Sequence, residues 1–164
     1  MHSLVVDVNV LLEEALWCEP DVVRTESTEL LSLMVAKGIN ICVTPTMLKD
    51  LRYLIEARSK RFLREKYGEI KPANAIFVKQ FALSKLDWYL DNATIISEGL
   101  VDCRMARQLI KVHNDYEDNL IAAAAIRTDA TGIVTRDEKF ARSCQVKCFT
   151  PAQAIKSIQA GLWG

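Results

Sequence analysis

The chain has 164 residues, half of them hydrophobic, and its 21 lysines and arginines balance 21 aspartates and glutamates. A chain of this length is expected to form one domain, and it can bury roughly 70% of its unfolded surface without disulfides or structural metals. The zero net charge excludes a whole-protein attraction to nucleic acid or to a membrane surface, so binding of a polyanion requires a local basic patch.

Cysteine and histidine usage restricts the chemistry further. The five cysteines are odd in number and scattered, and we find no signal peptide and no stretch of about 18 apolar residues. We therefore expect a reduced, cytoplasmic protein without a membrane segment. Cys144 and Cys148 could begin a zinc site, but no second pair and no neighbouring histidine complete it, so we interpret them as ordinary thiols. Only two histidines, His2 and His113, are present, which disfavours a histidine-centred mechanism.

The N-terminal region predicts a strand followed by a helix. Residues 3–12, SLVVDVNVLL, begin as a valine-rich apolar run typical of a strand buried on both faces, and Asp7 interrupts this run. A helix is expected over residues 25–38, with a cap at Ser27 or Thr28 and a glycine at its end.

The middle of the chain predicts a second strand and two long helical segments. Residues 39–45 form the buried strand, and a long helix or helix pair follows over residues 46–70. A break is expected at residues 71–74, after which the helical period resumes over residues 75–92. A short β-rich piece follows at residues 93–97.

The C-terminal region alternates between helices and strands. Residues 100–113 and 115–128 predict two helices, and residues 131–136 predict a strand. A last strand over residues 146–150 ends in a threonine cap, with Pro151 at the first position of a final helix.

The acidic residues fall at related places in this pattern. Alternating strands and helices predict a single α/β domain over residues 1–164, with helices around a central, largely parallel sheet. Ligands bind beyond the carboxyl ends of such strands. Four acids lie just past those ends or at the start of a neighbouring helix: Asp7, Asp50, Asp118 and Asp137. Each alone could be a strand-end, surface or turn residue, but together they predict an acidic crevice.

The stretch HNDYEDNLIAAAAI, residues 113–126, places three acids at the start of an alanine-rich helix. Asn114 or Asp115 is a good N-cap, and the spacing from Asp115 to Asp118 fits a capping box. Asp118 also faces the packed side of the helix, where a carboxylate needs a cation or hydrogen-bond donors. Both helix capping and a role in the crevice are open interpretations of these acids.

An acidic crevice of this kind indicates a metal site. Converging carboxylates repel one another unless a cation neutralises them, and oxygen ligands without histidine or cysteine favour Mg²⁺ or Mn²⁺. Such a cluster can activate water and stabilise the charge that develops on a phosphodiester. Asn9 and Thr135 supply short polar groups beside it.

Four segments, taken in chain order, resemble the PIN domain family: VVDVN, VTPTMLKDL, DYEDNLIAAAAI and IVTRDEKF. The resemblance covers nearly the whole chain and is most specific in DVN, DYED and VTRD. The family includes the toxin ribonucleases of bacterial and archaeal toxin–antitoxin systems. The resemblance therefore implies a PIN-like α/β fold and cleavage of single-stranded RNA with Mg²⁺ or Mn²⁺. It also implies an antitoxin partner and is compatible with a homodimer.

The same resemblance implies roles for individual residues. The catalytic acids would be Asp7, Asp50, Asp118 and Asp137. Three of these would hold the metal, namely Asp7, Asp118 and Asp137, while Asp50 completes the cluster or orients the attacking water. Positions often found near the metal site are Asn9, Asp115 and Thr135.

Alternative functions and a basic segment also emerge from the sequence. The second acid of the family is usually glutamate, so the shorter Asp50 is compatible with an inactive PIN-like module that binds RNA or protein. An aspartate-based phosphohydrolase is a further alternative, although the first strand ends in DVN rather than DxD. Residues 58–71 are rich in basic side chains interleaved with Phe62 and Tyr67. They predict either a track for a phosphate backbone or a solvated helix with internal ion pairs.

Overall fold

The computed structural model describes residues 2–16 and 21–163, and in these ranges no helix is long and apolar enough to cross a membrane. The strands are β1 (Ser3–Val6), β2 (Asn40–Val43), β3 (Thr94–Ile95), β4 (Gly132–Val134) and β5 (Cys148–Phe149). The helices are α1 (Val8–Ala15), α2 (Asp21–Ala36), α3 (Pro45–Tyr67), α4 (Pro72–Asn92), α5 (Leu100–Leu109), α6 (Tyr116–Arg127), α7 (Glu138–Ser143) and α8 (Pro151–Gln159). The four described cysteines are free thiols, and Cys18 lies outside the described residues.

The five strands of the described ranges run parallel in one sheet of order β3-β2-β1-β4-β5, which confirms the predicted α/β fold. Strand β1 is central, with Leu4 in register with Ile41 of β2 and with Gly132 of β4. The chain adds β2 and β3 on one side of β1 and then β4 and β5 on the other. The order therefore reverses between β1 and β4, and such a switch point is where α/β sheets form a binding crevice.

Strand β1 contributes to the core on both faces of the sheet. Leu4 and Val6 have no exposed surface and pack in a cluster with residues of α1 to α4 and α8. Val5 belongs to a second cluster, in which α6 and α7 contribute Ile121 and Phe140. Alternate residues of a strand point to opposite faces, so the apolar run SLVV fits a strand covered by helices on both sides.

The segment after β1 differs from the sequence prediction. Helix α1 begins directly after Asp7, inside the apolar run that predicts a strand. Helix α2 begins at Asp21, so the predicted start four residues later and the predicted cap at Ser27 or Thr28 are wrong. Ser27 is fully buried inside α2, where its hydroxyl donates to Glu13 Oε2 of α1 at 2.7 Å. Serine typically caps helices, but Ser27 is tolerated in the interior of α2 because Glu13 of the neighbouring helix accepts its hydrogen bond.

Other helix boundaries follow the local sequence closely. Thr150 caps α8 and Pro151 occupies its first turn, as predicted. Gly68 caps the C-terminal end of α3, and its φ of 79° is accessible to glycine without strain. Helix α4 begins at Pro72. The break between α3 and α4 therefore covers residues 68–71, about three residues before the predicted break at residues 71–74.

Candidate active site

A small pocket lies at the carboxyl edge of the sheet, lined by residues that follow β1, β2 and β3 and by the start of α6. Its volume is about 60 Å³. This volume accommodates an ion with a few water molecules, since roughly 10–15 Å³ holds one water. Ten of the described residues line the pocket. None of these ten is basic, and five are acids, namely Asp7, Asp50, Glu98, Glu117 and Asp118. The pocket therefore brings together three of the sequence-predicted acids, Asp7, Asp50 and Asp118.

Asp7 follows β1 and is the most deeply buried of these acids, with 4% of its surface exposed. Its Oδ2 accepts hydrogen bonds from Thr135 Oγ1 at 2.6 Å and from Asn9 Nδ2 at 2.7 Å. Burial raises the pKa of Asp7 from 3.8 to about 6, and the neighbouring charge of Asp118 contributes to the rise, whereas the bond from Thr135 opposes it. A nearby cation would favour the ionised form of such a carboxyl group.

Asn9 and Thr135 connect Asp7 to the end of β4 across the switch point. Thr135 is 2% exposed, and its hydroxyl donates to Asp7 while accepting from Asp137 N at 3.0 Å. Asn9, in the first turn of α1, also donates to Thr135 Oγ1 at 3.3 Å, and its Oδ1 accepts from Arg136 N at 3.4 Å. Both predicted polar residues thus contact Asp7 directly and fix the orientation of its carboxylate.

Asp118 lies in the first turn of α6 and is half-buried. With the ring proton assigned to Nε2, His113 donates to Asp118 Oδ2 at 2.7 Å, and its Nδ1 accepts from Ser143 Oγ at 2.9 Å. Burial raises the pKa of Asp118, the bond from His113 opposes the rise, and the charges of Asp115 and Asp137 add to it. Sequence reasoning missed His113, although a carboxylate on a packed helix face indicated that some donor had to be near.

Asp115 and Asp137 cap helices and do not line the pocket. Asp115 Oδ1 accepts from the backbone amides of Glu117 at 3.0 Å and Asp118 at 3.3 Å, at the start of α6. Asp137 Oδ1 accepts from Phe140 N at 2.8 Å, at the start of α7. Both aspartates are exposed. Capping therefore accounts for one of the acids in DYED, while Asp118 belongs to the pocket.

Two further acids reach the pocket from the side of β2 and β3. Asp50 lies near the start of α3, as predicted, and its Oδ1 pairs with Lys49 Nζ at 3.1 Å. Glu98 lies in the loop between β3 and α5, and its Oε2 accepts from Thr46 Oγ1 at 2.5 Å. No sequence pattern indicated Glu98, because it approaches the other acids only once β3 has paired with β2.

The donor set fits a divalent cation, although the predicted three-aspartate centre is not assembled. Within residues 2–16 and 21–163, no three acid, histidine or cysteine side chains are close enough to hold a metal ion as they stand. Mg²⁺ keeps several waters and needs only one or two protein carboxylates. Asp7 and Asp118 are neighbours whose charges interact. Glu98 Oε1 adds a buried oxygen that has no hydrogen-bond partner in the part of the chain described.

The basic segment over residues 58–71 lies on the second half of α3 and in the loop after it, and none of its residues lines the acidic pocket. Arg61 pairs with Glu65 at 2.7 Å, and Lys60 pairs with Glu56 at 3.0 Å. These are i,i+4 pairs of a solvated helix, the second of the two sequence interpretations.

Comparison with known proteins shows the class to which this fold belongs. The sequence model of the PIN domain matches residues 3–139, and the chain therefore belongs to the PIN domain family. Among solved structures, the chain is similar to one of VapBC2 from Rickettsia felis bound to a DNA fragment from their promoter. The two share 21% sequence identity at a TM-score of 0.62, over 90% of this chain and 98% of that one. No curated protein matches the chain.

Proposed function

We propose that this PIN domain is an endoribonuclease that cleaves single-stranded RNA with Mg²⁺ or Mn²⁺, and that it is the toxin of a toxin–antitoxin pair. Membership of a family of nucleases supports hydrolysis of a phosphodiester. The observation that carries the proposal is the proximity of Asp7 and Asp118 in a pocket whose described lining residues include five acids and no basic residue. Burial disfavours the ionised forms of both carboxylates, and a cation bound between them would favour those forms again.

The mechanism assigns the metal primarily to Asp7 and Asp118. Thr135 and Asn9 hold the carboxylate of Asp7, and His113 holds that of Asp118, so neither has to be ordered when the ion binds. When bound, a divalent ion activates a water and offsets the charge that develops on the phosphodiester. Restraint of both carboxylates by hydrogen bonds keeps this geometry fixed during the reaction.

The remaining predicted acids support this pair. Asp50 would orient the attacking water or complete the acidic set, and the exposed Lys49 beside it could turn toward a phosphate of the RNA. The carboxylate of Asp137 caps α7 and would therefore not bind the metal directly. Its negative charge would instead act on Asp118, whose pKa it raises. Asp115 would fix the first turn of α6, from which Asp118 projects.

RNA cleavage with and without metal tests the enzymatic part of the proposal. Purified protein should cut single-stranded oligonucleotides in Mn²⁺ or Mg²⁺, stop in chelator and recover when metal is restored. Asp7→Asn and Asp118→Asn should each reduce cleavage by about 100-fold or more, because loss of a residue that only supports a metal ligand already costs roughly 10- to 100-fold. Asp91→Asn, an exposed position on α4, is the matched control and should cleave at the wild-type rate.

Two results would contradict this function. Cleavage that persists in chelator, or in both pocket variants, would exclude the acidic pocket as the active site. Binding of RNA or of a partner without any cleavage would favour the alternative of an inactive PIN-like module.

The antitoxin part of the proposal rests on a second surface. The similarity to VapBC2 suggests a protein partner. An apolar groove of about 470 Å³ opens between α1, α3 and α4, and its lining includes Leu12, Leu16, Phe62, Phe77 and Phe81. Exposed aromatic side chains in a groove are typical of a site for an amphipathic helix. We expect the antitoxin to bind here, and the exposed Leu83 and Leu90 of α4 would be available to a homodimer.

A further inference from the structure

Glu98 has an unusual environment for a glutamate. Its Oε2 accepts the hydrogen bond from Thr46 Oγ1, and its Oε1 is buried without a hydrogen-bond partner in the described ranges. Burial of an unpaired carboxylate oxygen is unfavourable, because the oxygen loses its hydration and gains nothing in return. The bond to Thr46 explains one oxygen of Glu98 and leaves the other to be explained.

The backbone on both sides of Glu98 is held by an ion pair between Arg127 and the buried Asp102. Arg127 Nε donates to Asp102 Oδ1 at 2.8 Å, and Asp102 is only 1% exposed. Asp102 Oδ2 accepts from Gly99 N at 2.8 Å, while Arg127 Nη2 donates to the carbonyl oxygen of Ser97 at 2.5 Å. The residues before and after Glu98 are therefore both fixed, and the position of its side chain in the pocket is a constrained feature of the fold.

Glu98 shares its pocket with other acids that already have side-chain partners. Glu98 lines the same pocket as Asp7, Asp50 and Asp118. Each of these three acids already has a side-chain partner. Asp7 accepts hydrogen bonds from Thr135 and Asn9, Asp50 pairs with Lys49, and Asp118 accepts from His113. Glu98 Oε1 is distinguished from the other oxygens of these acids because it is buried and has no hydrogen-bond partner in the described ranges, and a cation would supply that partner.

We propose that Glu98 is a further metal-binding carboxylate of this pocket, reaching it from the loop between β3 and α5. The inference rests on the proposed metal-dependent function and adds to it a residue that binds the ion through Oε1 while Thr46 anchors Oε2. Asp50, whose Oδ1 is paired with Lys49, is then left for the water or the substrate.

Direct titration with Mn²⁺ tests the proposal without any RNA. The metal-free wild type, Glu98→Gln and Glu29→Gln are compared by calorimetry or by the loss of free-Mn²⁺ electron paramagnetic resonance. Glu98→Gln keeps the size of the side chain and an oxygen for Thr46, and we expect its Kd to rise by about 10-fold or more, by analogy with other metal sites. Glu29, an exposed glutamate of α2 that does not line the pocket, is the matched control and should leave the Kd unchanged.

Thermal melts in chelator show whether Glu98→Gln is folded and by how much the Glu98 carboxylate lowers the stability of the metal-free protein. Glu98→Gln should melt at or above the wild-type temperature in chelator, because it removes one charge from an acidic pocket. Thr46→Val keeps the carboxylate but removes its anchor, and we expect a smaller loss of Mn²⁺ affinity. If Glu98→Gln is poorly folded, the Thr46→Val titration decides, since a wild-type Kd there would overturn the anchored-ligand arrangement.

The possible outcomes separate this inference from the proposed function. Equal Kd values for the wild type and Glu98→Gln would overturn the role of Glu98 and leave a metal site made by Asp7 and Asp118. Absence of Mn²⁺ binding by the wild type at millimolar concentration would overturn both the role of Glu98 and the metal dependence of the proposed function.

Discussion

At the scale of single residues, the ionisation of Asp7 links the pocket to stability. Its pKa rises from 3.8 to about 6 in the folded protein, chiefly because of burial. A carboxyl group with a raised pKa favours the folded state when it is protonated, so its contribution is complete below pH 3.8. That contribution is lost as the pH rises through 6.

We therefore predict that the metal-free wild type loses stability relative to Asp7→Asn as the pH rises. Asparagine can keep the hydrogen bonds from Thr135 and Asn9 but cannot ionise. The rise in the pKa of Asp7 from 3.8 to about 6 corresponds to about 3 kcal/mol. This is the largest change that we expect, between pH 4 and pH 7.5, in the difference between the unfolding free energies of the two proteins. Urea unfolding of both proteins at several pH values measures it. A difference that does not change with pH would mean that Asp7 is not desolvated.

Residue type and spacing were enough to select Asp7, Asn9 and Thr135, but they did not indicate Glu98 or His113. Asp7 ends an apolar strand, where a carboxylate is conspicuous. His113 precedes α6 by a few residues, and its contact with Asp118 depends on how the chain turns into that helix. Contacts of this kind depend on tertiary packing and cannot be predicted from the helix or strand propensities of the local sequence.

At the scale of elements, the groove between α1, α3 and α4 predicts where a partner binds. Phe77 is 67% exposed and lines the groove, so replacing it with serine should weaken a complex with the product of an adjacent gene. Tyr53 is equally exposed on α3 but does not line the groove, and Tyr53→Ser is the matched control. Co-expression followed by size-exclusion chromatography measures complex formation.

The expected result is a complex for the wild type and Tyr53→Ser, with clearly less complex for Phe77→Ser. A complex that Phe77→Ser leaves unchanged would exclude the groove as the docking site. Failure of any small neighbouring product to co-elute with the wild type would contradict the antitoxin proposal itself.

Helix and strand boundaries were predictable where the chain carries explicit start or stop residues. Thr150 and Pro151 define the beginning of α8, and the parallel strands follow from short apolar runs. Helix α1 was missed because VNVLLEEA continues an apolar strand with only Asp7 between them. The start of α2 was misplaced because Ser27, an ordinary capping residue, is satisfied by Glu13 within the packed structure.

At the scale of the whole molecule, the topology explains why distant acids meet. Asp7, Asp50 and Asp118 are far apart in sequence, yet they line one pocket. They meet because the strands are parallel, so the carboxyl ends of the strands all lie at the same edge of the sheet. Asp137, which is among the metal-binding residues predicted from the sequence, is placed differently from these three acids. Its carboxylate caps α7 by accepting a hydrogen bond from the Phe140 amide. The order of strands thus determined the general location of the site, and helix caps determined which acids line the pocket.

Metal-induced stabilisation tests most directly whether Asp7 and Asp118 form a cation site. In the wild type, Mg²⁺ or Mn²⁺ at ten times its Kd should raise the free energy of unfolding by about 1.4 kcal/mol, measured against the same protein in chelator. Asp91→Asn should show the same gain. Asp118→Asn should gain clearly less at the same metal concentration. Equal gains in the wild type and Asp118→Asn would contradict the site and leave Asp118 with a structural role at the start of α6.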